Sequence, residues 1–159
     1  MKSFIFIPFI NGLELLDKAI RSTDHHIHDE YLIFNNSGVR LPHEFTKGTP
    51  FREIFYEKRI SFLKMQNYHR AYAILGGFDF YLYMHHDAEV MDDTHTRLVR
   101  AATELKDKWG VIFTMHDVLA IYNTQCMLDV GEWGDDEWPK EQMVGYFADT
   151  DYYLSLIHI

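Results

Sequence analysis

From Ser3 to Phe9 the chain is almost wholly apolar, as expected of a parallel strand covered on both faces. Asn11-Gly12 breaks the run, and Leu13, Leu16, Ala19 and Ile20 then recur at helical spacing. Glu30–Phe34 reads as a second strand, stopped by the turn-forming Asn35-Asn36-Ser37-Gly38. Residues 39–52 carry no clear period and are read as a loop. Arg59–Leu75 is read as a helix with Phe62, Leu63, Tyr72 and Leu75 among its core positions, ended by Gly76-Gly77. Phe78–Met84 reads as a central strand. Asp93 or Thr94 is placed to cap a helix whose buried face is Leu98, Val99, Ala102 and Leu105. Two short strands, Val111–Met115 and Val118–Tyr122, a short helix over Thr124–Val130 and a helical segment from Asp149 complete the pattern.

Strands alternating with helices predict an α/β fold with a mostly parallel central sheet flanked by helices. No repeat or Pro/Gly/Ser linker divides residues 1–159, so one domain is expected. In such sheets ligands sit beyond the carboxyl ends of the strands. That rule points to the turn after the first strand, to Asn35–Gly38, and to His85–Glu89.

Composition narrows the functional classes. A net charge of −9 argues against a general nucleic-acid binder, which needs surplus Lys and Arg to displace counterions from phosphate. It leaves open a phosphate ligand bridged by a cation. With 47% apolar and 16% aromatic residues, an ordered core is feasible. Cys126 is the sole cysteine, so no internal disulfide can form and a reducing, cytoplasmic setting is expected. No apolar run approaches the ~20 residues of a membrane span, and Ser3–Ile10 is too short for a signal peptide.

The sharpest constellation is His85-His86-Asp87-Ala88-Glu89 at the end of the central strand. On an extended segment, period-two alternation sends both carboxylates of Asp-x-Glu to one side. Two hard oxygen ligands so spaced suit Mg²⁺ or Mn²⁺ with coordination sites left for a diphosphate. An isolated Asp-x-Glu is more commonly a solvated loop; its position after a buried strand favours a site. His25-His-Ile-His28 followed by Asp29 offers a rival zinc pattern built on His26 and His28. It precedes a strand and has no matching second pair, which favours a solvated loop.

Phe80–Val90 resembles the strand and metal-binding segment of GT-A glycosyltransferases, in particular the inverting group called family two. The family usually carries Asn or Asp where His85 and His86 stand. The resemblance implies a Mn²⁺ or Mg²⁺ ligand at Asp87, with Glu89 or His86 as a second. Phe6–Gly12 resembles the family's first strand and turn, implying that Pro8 and Asn11 meet the nucleoside of a nucleoside diphosphate sugar. Tyr31–Gly38 resembles its second strand, with Asn35 and Asn36 in place of the base-reading acid. Asn67-Tyr-His-Arg-Ala71 resembles the helix beneath the pyrophosphate, which makes Asn67 and Arg70 donor-binding candidates.

Gly131–Pro139 and Tyr146–Tyr152 resemble the family's acceptor-side and general-base elements. By that match Asp149 deprotonates an acceptor hydroxyl. Trp133 or Trp138 would stack on the acceptor, a glycan, lipid-linked or protein hydroxyl, with Asp136 and Asp151 beside it. A helix-capping role for Asp149 is the alternative. No Arg follows Asp151 as the family pattern has it, so a shortened or foreign C-terminus is expected at Ser155–Ile159. The second functional reading is a non-catalytic nucleotide-sugar or carbohydrate-binding domain.

Overall fold

The computed structural model describes residues 1–106, 108–114 and 118–134. Six strands form one sheet: β1 (Ser3–Phe9), β2 (Glu30–Asn35), β3 (Phe51–Phe55), β4 (Phe80–Met84), β5 (Val111–Phe113) and β6 (Leu119–Asn123). Helices α1 (Leu13–Ser22), α2 (Phe62–Gly76), α3 (Thr94–Leu105) and α4 (Thr124–Val130) pack against it. The strand order is β3-β2-β1-β4-β6-β5. β1 pairs in parallel with both β2 and β4, and β2 with β3. β6 runs antiparallel to both of its neighbours, so the sheet is mostly parallel, as the alternating pattern predicts.

The apolar run of β1 is explained by two separate cores, one on each face. Ile5, Ile7 and Phe9 face one, with Leu16 and Ile20 of α1 and Leu98 and Ala102 of α3. Phe4 and Phe6 face the other, with Leu63, Met65 and Ala73 of α2 and Met127 of α4. Each fully buried Ile, Leu or Phe contributes about 1.5–3 kcal/mol of transfer free energy, so the central strands dominate stability.

Local signals set the helix ends. Ser61 caps α2 by accepting a hydrogen bond from the Lys64 N–H, and Gly77 closes it at φ 63°, a left-handed conformation that suits glycine. Gly12, at φ 80°, turns the chain from β1 into α1 without a side-chain cap.

The structure corrects several expectations. The loop assigned to 39–52 gives way to β3 at Phe51. Among the described residues one strand, β2, pairs with β3, and the residues of β3 are mostly half-buried, so no clean alternation marks it. Leu75, expected in the core, is 88% exposed at the end of α2, and Leu13 and Leu105 are also exposed. Asp93 occupies the N-cap position of α3, yet its carboxylate makes no capping hydrogen bond. It lies instead 3.8 Å from Arg97. Among the described residues no helix is long and apolar enough to cross a membrane.

Candidate functional site

The strand order reverses between β1 and β4, and the carboxyl ends of these strands diverge around a cavity of about 230 Å³. Pro8 and Ile10 come from the end of β1, Asn36 from the end of β2, and Tyr83, His85 and His86 from the end of β4. The remaining wall is Ile60, Phe62 and Met65 at the start of α2. The lining is chiefly apolar, with the two imidazoles, the Asn36 amide and the Tyr83 phenol as its polar side chains.

Two asparagines clasp backbone at and behind this wall in the same way. Asn36 Nδ2 donates to the Ile60 carbonyl and its Oδ1 accepts the Ile60 N–H, each at 2.9 Å. Its own N–H donates to the Phe9 carbonyl at 2.7 Å. The side chain thus acts as a short extra strand that locks the approach to α2 onto the end of β2. One turn into α2, Asn67 clasps Trp133 in the same manner, donating to its carbonyl at 3.0 Å and accepting its N–H at 2.8 Å. Pairing both backbone groups of one residue satisfies donors and acceptors that would otherwise be costly to bury.

Asn35 is fully buried. Its Nδ2 donates to the Val39 carbonyl and to Glu53, and its Oδ1 accepts from the Ser37 N–H and hydroxyl. Arg70 donates through Nε to the Met127 carbonyl at 2.7 Å, joining α2 to α4. The donor-site candidates therefore separate into two groups. Pro8 and His86 line the cavity, and Asn11 is exposed at its β1 side. Asn35, Asn67 and Arg70 hold the surrounding backbone in place, and Asn36 does both, lining the cavity while clasping Ile60.

The turn after β4 departs from the extended form expected of Asp-x-Glu. The Ala88 N–H donates to the His85 carbonyl at 3.3 Å, closing a turn across His86 and Asp87. Period-two alternation therefore does not carry Asp87 and Glu89 to one side. The Asp87 carboxylate is 56% exposed and lies 3.8 Å from His85 Nδ1. Glu89 points toward α1, 3.9 Å from Lys18.

An exposed Asp87 fits one carboxylate donor to a hard divalent cation that keeps water and substrate oxygens as its other ligands. Among the described residues no group of three His, Cys, Asp or Glu side chains is gathered for a metal. The rival zinc pattern is likewise not gathered among the described residues. His26 is exposed, whereas His28 is buried and bonded to Ser3 and His95.

Trp133 is only 1% exposed, with its ring edge-on to Phe62 and Tyr122, so here the indole belongs to the core under the cavity. Asp136, Trp138, Asp149 and Asp151 lie outside the described residues. Sequence reasoning missed the apolar wall. Its signal was present: Ile60 and Met65 flank the Ser61 cap at the two positions a hydrophobic staple links.

No protein-family model matches the chain, and no curated protein matches it in sequence. Solved structures do match in fold. S. aureus TarS residues 1–349 superpose with a TM-score of 0.65 at 12% identity, covering 98% of this chain and 56% of TarS 1–349. The same TarS region in complex with UDP-GlcNAc gives 0.63 at 12% identity, covering 98% and 54% of the two chains. A cytidylyltransferase from Leptospira borgpetersenii gives 0.54 at 9% identity, covering 96% and 72%. The chain thus spans about half the length of TarS 1–349, and at these identities the likeness is one of fold.

Proposed function

We infer that this chain is the donor-binding core of a GT-A-type glycosyltransferase, with a nucleoside diphosphate sugar held at the carboxyl ends of β1, β2 and β4. The observation that carries the reading is the cavity at the strand-order reversal, with Asp87 directly following its lining His85-His86 pair. The fold shared with TarS, a glycosyltransferase, and with a nucleotidyltransferase supports a nucleotide-sugar-related role. One TarS structure is a complex with UDP-GlcNAc, which motivates that class of donor.

In this reading the slot between Pro8 and Ile10 on one side and Ile60 and Met65 on the other accepts the flat nucleoside. Base selection then depends on slot shape and on backbone groups, because the amides of Asn35 and Asn36 are committed to internal bonds. His86 reaches the cavity from the β4 side, where the sugar and phosphates would emerge. Asp87, with Glu89 as a secondary donor, would hold Mn²⁺ or Mg²⁺. When bound, such a cation supplies charge neutralisation for the departing diphosphate. Asp149 takes the proton of the acceptor hydroxyl as that oxygen forms the new bond to the anomeric carbon, with inversion; the nucleoside diphosphate leaves from the opposite face. The resemblance to family two assigns Trp138, Asp136 and Asp151 to the acceptor side. The reading fits a cytoplasmic protein.

The test is donor binding and transfer with Mn²⁺, using UDP-GlcNAc as the first probe, for the wild type, Asp87→Asn and Asp149→Asn. Asp87→Asn should lower metal-dependent turnover on the order of 10²-fold with the fold intact. Asp149→Asn should abolish transfer while sparing binding. Binding without turnover in every protein would favour the non-catalytic donor-binding domain. No nucleotide-sugar binding by the wild type would overturn the reading.

A further inference from the structure

Away from the cavity, at the amino end of β1, three buried polar side chains form a chain of hydrogen bonds that the proposed reaction does not use. Ser3, His28 and His95 are 2%, 9% and 2% exposed. Ser3 Oγ lies 2.7 Å from His28 Nδ1, and His28 Nε2 lies 2.7 Å from His95 Nε2. The far end is the Asp24 N–H, which donates to His95 Nδ1 at 3.3 Å.

That last bond dictates every proton in the chain. A backbone N–H can only donate, so His95 Nδ1 must be bare. A neutral imidazole carries one proton, which places it on His95 Nε2, facing His28. His28 Nε2 must then accept, so its proton is on Nδ1 and is donated to Ser3 Oγ. Only one arrangement of two neutral rings satisfies all three contacts.

A single added proton has nowhere to go without breaking this order. If His95 is charged, its Nδ1–H opposes the Asp24 N–H. If His28 is charged, both of its nitrogens donate, so His95 must move its proton to Nδ1, and the same opposition arises. Either way the sacrificed contact is the one joining the 23–29 loop to the first turn of α3.

We propose that this Ser3–His28–His95–Asp24 chain is an acid-triggered latch, in which uptake of one proton releases the 23–29 loop from α3. The latch lies close in the chain to the site segment. Residues 85–93 lead from β4 into α3, and the Val90 N–H donates at 2.9 Å to Ser22 Oγ at the end of α1, just before the 23–29 loop. Release would therefore loosen the segment that carries Asp87 and Glu89.

The surroundings set the sense of the response. Burial holds His28 down to about 3 and His95 to about 4, each below the ordinary 6.5. For His28 the nearby His95 adds to the depression. For His95 the Asp24 carboxylate pulls upward and His25 pushes down. From β2, the Tyr31 hydroxyl accepts the His28 and Ile27 N–H groups and donates to the Asp24 carbonyl. Asp29 accepts the Ser3 N–H, and β4 contributes the Phe80 ring. Because the latched pKa values are depressed, the opened state binds protons first. The latch is fully closed above about pH 6.5 and weakens as pH falls from there toward 4, by up to about tenfold per pH unit per proton.

Two measurements on the whole chain test this. Nitrogen-15 spectra at pH 7 should show both rings neutral, with the proton on Nδ1 in His28 and on Nε2 in His95; either opposite tautomer, or a charged ring, overturns the latch. Amide exchange corrected for intrinsic rates should show Asp24 losing protection between pH 6 and pH 4 while β1 amides such as Ile7 keep theirs. Equal loss at both places, or no loss at Asp24, also overturns it. In His95→Gln, which cannot titrate, the selective Asp24 step should vanish, and its persistence in a folded variant rejects the idea. If that variant does not fold, the two wild-type measurements decide. None of these readouts involves a nucleotide, so the latch and the donor site stand or fall separately.

Discussion

At the amino ends of its strands this protein closes its polar groups upon one another; after the carboxyl end of β4 it leaves two carboxylates facing outward. Ser3, His28 and His95 form a buried chain, and beside them Glu30 accepts from both Arg52 and Tyr72. At the opposite end His85 and His86 are half-buried, Asp87 and Glu89 are exposed, and the asparagines shape the wall of a mainly apolar cavity. Both ends are rich in polar residues, so composition does not separate them. Partner satisfaction does: groups saturated within the fold stabilise it, whereas exposed carboxylates beside a cavity can be spent on a ligand.

That contrast can be attacked from either end. The largest loss of stability should come from His28→Ala, which leaves Ser3 Oγ and His95 Nε2 without their partner in a buried place. A cost of about 3 kcal/mol is expected in urea unfolding, with donor affinity at pH 7 retained in the folded fraction because the Asp24–His95 contact is kept. An equal loss of donor affinity at pH 7 would show that the site depends on the buried chain even with that contact in place. Next, Asn36→Ala strips both backbone partners from Ile60 and should cost about 2 kcal/mol. Unlike His28→Ala it should also weaken donor binding, because Ile60 is part of the cavity wall. Unchanged affinity in a folded Asn36→Ala protein would mean that the clasp does not shape the site. The smallest effect is expected from Arg52→Ala. Although Arg52 bonds Glu30 and Tyr72, its side chain is 56% exposed, so thermal unfolding should report less than ~1 kcal/mol.

Much of the fold was legible in the residues because burial on both faces imposes an unbroken apolar run. β1 and β4 were visible for that reason, and α4 was expected over its observed span of Thr124–Val130. β3 was not legible. As an edge strand it includes Arg52 and Glu53, and Glu53 is held by Asn35, by the Leu41 N–H and near Arg40. Those are long-range partners that no local pattern announces. The core position assigned to Leu75 failed for a related reason: helical spacing fixes which residues share a face, but the helix ends one residue later and leaves that side chain in solvent.

The candidate site divides along the same line. That ligand chemistry belongs at the ends of the first, second and central strands follows from the α/β pattern alone, since strand and helix alternation dictates where loops converge. The acidic turn after the central strand was likewise visible as residue types. Only the tertiary structure decided which polar residues face the cavity. Asparagines at the ends of β2 and within α2 found backbone partners at Ile60 and Trp133, 24 and 66 residues away. Only the tertiary structure, too, joined His28 to His95 across 67 residues. Periodicity reports which way a side chain leaves its own element. What that side chain meets depends on a neighbour brought close by folding, and for a polar group the neighbour determines whether it is structural or available.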